Sequence, residues 1–197
     1  MQTTYSDQQL DALRELANIG SGTAATALST MLGRPIDVSV PAALALPLAD
    51  AVEAVGAPES YVTAVVLTIF GDIDAIVVLL FPPKDAETLC EMLGVEAGTE
   101  VGLSALGEIG NILGSAYVGA LGMMTGLDLE PSPPESVTDM LGAIVSTVLA
   151  TGAEETDVAL VLDSNLIVEG AECSLSFMLI PSRTGVGEVF AGLGLNG

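Results

Sequence analysis

The chain has 197 residues, half of them hydrophobic and only 15% charged, with 26 Asp and Glu against 4 Lys and Arg for a formal net charge of -22. That length and apolar content allow a sizeable core and exclude a disordered chain, while Lys84, Arg14, Arg34 and Arg183 are too few to build the basic patch that nucleic acid or an anionic membrane surface requires. The sequence holds no histidine and no tryptophan, which excludes a Ser/His/Asp triad, a Cys/His dyad and any His-based metal site.

No basic-then-apolar leader opens the chain: Met1 to Leu10 carries Asp7 and several polar residues, so secretion is not expected. From Asp7 to Met31, Leu10, Leu13, Leu16, Ala17, Ile19 and Gly20 recur at helical spacing. Ser6 or Asp7 serves as N-cap and Gly33 as stop, which predicts a long amphipathic helix. A short strand, Ile36 to Val40, follows; Pro41 and Pro47 bound the next segment, and a helix is expected from Pro47 to Val55. Tyr61 to Phe70 and Ile73 to Phe81 are β-branched and alternating, joined at Gly71-Asp72, which predicts a hairpin. Pro82 and Pro83 open a short helix carrying Ala86, Leu89, Cys90 and Leu93, with Gly94 at its end.

The second half repeats this order. Leu103 to Met124 reads as a long helix, Leu127 to Leu129 as an extended piece and Ser136 to Ala150 as a helix. Asp157 to Val168 and Ala171 to Ile180 read as a hairpin, and Thr184 to Leu193 as a short helix after Pro181. The long helices align without gaps at an offset of 93, taking Glu15 to Glu108, Asn18 to Asn111, Gly33 to Gly126 and Pro41 to Pro134. An internal duplication explains this register. The expected fold is therefore α+β, a mixed α/β body in which two repeats, about 7–94 and 100–194, share one antiparallel sheet within a single domain spanning 1–197.

The longest apolar runs, Ala75 to Phe81 and Leu141 to Ala150, fall short of the ~20 residues of a membrane helix. They read as core, and no membrane insertion is expected. Cys90 and Cys173 have neither metal nor disulfide spacing and read as small buried hydrophobes in a reducing cytoplasm. Met123, Met124 and Met140 read as core fillers, with an exposed Met pair that serves a binding face as the alternative. Many acids with a single lysine suggest a protein kept soluble at high salt, where the Debye length shrinks to about 3 Å and self-repulsion becomes tolerable.

The chemistry-bearing residues stand on the two long helices. Asp11, Glu15 and Asn18 are followed by Pro41; Ser104, Glu108 and Asn111 are followed by Pro134 at identical spacing. Asp11, Glu15, Asn18 and Gly22 fall within an arc of roughly 60°, while Leu13, Leu16 and Ala17 turn toward the core. Small residues surround the stripes: Gly20, Ser21, Gly22, Thr23 and Ala24 in the first helix, and Gly107, Gly110, Gly114 and Ser115 in the second. Each helical glycine costs up to ~1 kcal/mol relative to alanine, a cost that makes sense where a partner approaches the backbone closely.

This pattern, an acidic residue or Ser, three residues, Glu, two residues, Asn, then Pro after twenty-two more, resembles the active-site signature of the CheC-type phosphatases of bacterial and archaeal chemotaxis. Both copies match in full, and the resemblance spans the whole chain, closer to the two-site CheC members than to the single-site CheX relatives. A flagellar-switch relative would need a further segment beyond Gly197.

The resemblance implies a pseudo-two-fold fold and dephosphorylation of the aspartyl phosphate of the response regulator CheY. Magnesium is expected on CheY, with no cofactor or metal held by this chain. Asn18 and Asn111 are implied to orient the attacking water, and Glu15 and Glu108 to pair with the lysine of the regulator's phosphorylation site. Asp11 and Ser104 support docking or helix geometry; Pro41 and Pro134 shape the following segment. A Ser nucleophile is disfavoured, since no base stands beside it. The alternative function is an adaptor that binds a CheD-type receptor deamidase, a second implied partner.

Overall fold

The computed structural model describes residues 6–152, 158–168, 171–182 and 184–192; the expectations at residues 1–5, Asp157, Arg183 and the Leu193-Gly194 end of the last helix lie outside them. The elements, in chain order, are α1 (Asp7–Leu32), β1 (Ile36–Pro47), α2 (Leu48–Val55), β2 (Tyr61–Gly71), β3 (Ala75–Phe81), α3 (Pro83–Met92), α4 (Glu100–Thr125), β4 (Leu129–Pro131), β5 (Glu135–Met140), α5 (Leu141–Gly152), β6 (Val158–Val168), β7 (Ala171–Pro181) and α6 (Gly185–Gly192).

The long helices start and stop where local chemistry directs. Ser6 Oγ accepts a hydrogen bond from the Gln9 amide at 3.3 Å, and Gln9 Oε1 accepts one from the Ser6 amide at 2.8 Å, a capping box that satisfies two orphan donors of α1. Thr99 Oγ1 does the same for the Gly102 amide of α4 at 3.1 Å. Gly33 and Gly126 end the helices in the left-handed region, at φ 65° and 75°, where glycine carries no Cβ penalty. Both pairs of caps stand 93 residues apart, the same offset that aligns the two helices.

The sheet is antiparallel, in the order β1-β6-β7-β3-β2, and the outer edge of β2 is taken by β4 and then β5. A pseudo-two-fold axis runs between β3 and β7, and each repeat sends the strand after its long helix onto the other repeat's hairpin: β1 pairs with β6, and β4 with β5 pair with β2. Alternation divides the side chains between two layers. Val65, Leu67, Val77, Leu79, Phe177 and Leu179 pack under α1, α3, α4 and α6, while Ala64, Ile76, Val78, Met178 and Ile180 pack under α2 and α5. No helix of the described residues is long and apolar enough to cross a membrane.

Four expectations are corrected. The strand expected at Ile36 to Val40 runs on to Pro47. Pro41 lies inside it, where the ladder with β6 shifts register between Ser39 and Ala42; a proline without an N–H is tolerated there because β1 is an edge strand with an irregularity. The helix expected from Ser136 begins only at Leu141. Glu135–Met140 is strand β5, and Thr138 Oγ1 lies 2.9 Å from Thr63 Oγ1 across the ladder. Pairing with β2 overrides the helical apolar spacing, and the offset of 93 takes Ala42–Pro47 of β1 onto these same residues. The first hairpin turns over residues 72–74 instead of two residues, with Ile73 buried. Met123 and Met140 are exposed, and Met124 is half-buried.

Candidate functional site

On α1, Asp11, Glu15, Asn18 and Gly22 are exposed, and Leu13, Leu16 and Ala17 are buried beneath them. On α4, Ser104 and Glu108 are exposed and Asn111 is half-buried, above buried Leu106, Ile109 and Leu113. The structure thus brings each Glu and Asn together on one face, three residues apart, as the spacing requires. The helix pair holds the two stripes apart. The N-terminal half of α1, at Leu13 and Leu16, meets the C-terminal half of α4, at Tyr117, Val118 and Leu121, whereas the α4 signature lies in its N-terminal half.

The small residues serve this packing. A Cβ on Gly20 would collide with the Tyr117 ring, one on Gly110 would come within 2.7 Å of Val65, and one on Gly114 within 2.6 Å of Leu67. The close approach expected of a partner is therefore mostly intramolecular, letting α4 settle onto β2. Gly22 and Gly119 alone of the glycines in these two helix interiors have open space where a side chain would stand. Ser21 is buried and donates to the Asn18 carbonyl at 3.0 Å.

Among the described residues, the side chains of Glu15, Asn18, Glu108 and Asn111 form no intramolecular hydrogen bond or ion pair. Asp11 differs, because Arg14 Nη1 lies 2.6 Å from its Oδ1. Ser104 and Glu108 line an open concavity together with Glu100, Val101 and Ala105. Sequence reasoning passes over Val101, although its place seven residues before Glu108 puts it on the same face. Pro41 lies within β1, and Pro134 lies between β4 and β5, immediately before β5.

Asp11, Glu15 and Glu108 are exposed, so the stripe carboxylates stand in water as acceptors. Each site offers one carboxylate and one amide, the amide able both to donate and to accept. No group of three or more His, Cys, Asp or Glu that could hold a metal occurs among the described residues. Cys90 and Cys173 are buried. Burial pushes both thiols up, and the Asp85 carboxylate adds to this for Cys173, which leaves them poor nucleophiles.

The CheC-like family model matches residues 9–44 and 101–137, the two segments that carry the signatures. The CheY-P phosphatase CheC of Bacillus subtilis (strain 168) is 32% identical over 198 residues, covering 95% of each chain. The crystal structure of FliY from Thermotoga maritima has a TM-score of 0.76 at 20% identity, over 99% of this chain and all of that one. CheX in its complex with CheY, BeF3 and Mg2+ from Borrelia burgdorferi gives a TM-score of 0.51 at 12% identity, over 84% of this chain and 96% of that one. At these identities the two solved structures speak to the fold.

Proposed function

The chain belongs to the CheC-like family, and on that basis we propose that it is a phosphatase that removes the aspartyl phosphate of the chemotaxis response regulator CheY. The observation that carries this reading is the duplicated, outward-facing Glu and Asn pair, free of intramolecular partners among the described residues on both helices. The name of the B. subtilis relative and the presence of CheY in the CheX complex support the choice of substrate.

In this reading Asn18 or Asn111 enters the regulator's phosphorylation site and hydrogen-bonds the attacking water, holding it in line with the phosphorus. Glu15 or Glu108, one turn earlier, pairs with the lysine of that site and fixes the depth of insertion, which excludes bulk water. No general base is required, because an acyl phosphate is already activated. The magnesium is assigned to the regulator, since one glutamate and one amide are too few ligands for a dedicated site. Because the signatures lie on different stretches of the helix pair, each serves as a separate docking site. A CheD-type deamidase is proposed as a second partner, and the cytoplasm as the place where both are met.

The test is phosphate loss from CheY charged with acetyl phosphate and magnesium, at high salt, with and without the chain. Acceleration by the parent and its loss in the Asn18→Ala Asn111→Ala variant support the reading.

A further inference from the structure

We propose that Val101 is a docking residue that sets the affinity of the second site for the phosphorylated regulator; the inference rests on the function proposed above. Val101 is 63% exposed and stands in the first turn of α4, three residues before Ser104 and seven before Glu108. At helical spacing these three fall within an arc of roughly 60°. Val101 and Ala105 form the apolar part of the concavity whose remaining lining is Glu100, Ser104 and Glu108.

The occupant follows from continuity with the signature. Seven residues of helix span about 10 Å, and a standard interface covers about 800 Å² on each partner. A regulator that receives Glu108 and Asn111 therefore also covers the preceding two turns of the same face. Val101 is then removed from water on docking, while Glu100 and Glu108 flank it with charge suited to the regulator's lysine.

The first repeat lacks this contact. The position 93 residues before Val101 is Gln8, also exposed, and Ala105 corresponds to Ala12. The first site thus presents an amide and the Asp11–Arg14 pair where the second presents a valine and a neutral serine. The two docking faces differ in the apolar area they bury.

In the Asn18→Ala background, where only the second site operates, Val101→Gln should raise KM for acetyl phosphate-charged CheY about five-fold, as loss of part of a buried valine implies, with kcat unchanged. In the Asn111→Ala background, Gln8→Val should lower KM of the first site, and Val101→Gln should have no effect. If neither substitution moves KM while the rate still depends on the asparagines, Val101 is not a docking residue and this inference alone fails. A fall in kcat at constant KM would likewise overturn it, since that marks a change of helix geometry. If the parent chain does not accelerate phosphate loss from CheY, the proposed function falls and this inference with it.

Discussion

Gly20 of α1 and Tyr117 of α4 meet where the two signature helices cross, and a Cβ at position 20 would stand inside the tyrosine ring's contact distance and 3.2 Å from the Tyr117 Cα. The tyrosine is held in turn. Its hydroxyl lies 3.0 Å from Ser164 Oγ on β6, and its ring packs at 4.9 Å against Phe177 on β7. The helix that carries Asn18 is thereby braced through α4 to both strands of the second hairpin.

Gly20→Ala should therefore destabilise the fold by about 1–3 kcal/mol, the usual cost of forcing atoms into a packed interior. Gly22→Ala, two residues on but facing open space, should stabilise α1 by up to about 1 kcal/mol through helix propensity. Urea titrations of the two variants distinguish the positions; equal effects would mean that the crossing is not close-packed.

Alkaline pH should weaken the fold. Burial raises Tyr117, although its hydrogen bond with Ser164 opposes this, and burial raises Cys90 and Cys173. The unfolded thiols lose protons near about pH 8.5 and the unfolded tyrosine near about pH 10. Above those values the unfolded chain has released protons that the folded chain still holds, so stability is fully present below them and falls as pH rises. Tyr117→Phe should flatten the fall above about pH 10, measured as a urea midpoint against pH; an unchanged slope would contradict the assignment.

How far the sequence carried the fold depends on the range of the interactions. Ser6, Gly33, Thr99 and Gly126 act within a few residues of themselves, so the extents of α1 and α4 were legible to within three residues at each end. Strand β5 was not, because Glu135–Met140 is a strand only by virtue of β2, more than sixty residues away. The small residues were misread for the same reason: nothing near Gly110 or Gly114 in sequence announces Val65 or Leu67. At the site, the repeated spacing places Glu15, Asn18, Glu108 and Asn111, while the exposure of Val101 depends on what fails to pack over the start of α4.

Thermal stability should rise with salt. With 26 acids against 4 bases in the sequence, and with every acid whose side chain is described exposed or half-buried, self-repulsion is strong in dilute buffer and is screened as the Debye length shortens. The melting temperature should climb between about 0.1 and 2 M salt. A flat profile would remove the high-salt reading of the composition.

The second site should be the stronger at low salt. Ser104 is neutral where Asp11 places a carboxylate beside an acidic, phosphorylated pocket. The Arg14–Asp11 pair, 2.6 Å apart, offsets this by only about 0.3–0.5 kcal/mol, the value of an exposed helix pair. Asn111→Ala should thus cost a few-fold more rate than Asn18→Ala, and the gap should narrow at high salt. A larger loss from Asn18→Ala would contradict the charge argument.

In the proposed mechanism, two amides on separate helix faces orient the attacking water. Dephosphorylation of CheY followed with the parent, Asn18→Ala, Asn111→Ala and the double variant tests it most directly. Each single variant should retain stimulated phosphate release, and the double variant, its circular dichroism and melting temperature unchanged, should leave CheY at its unassisted rate. A folded double variant that still accelerates phosphate loss like the parent would contradict the account.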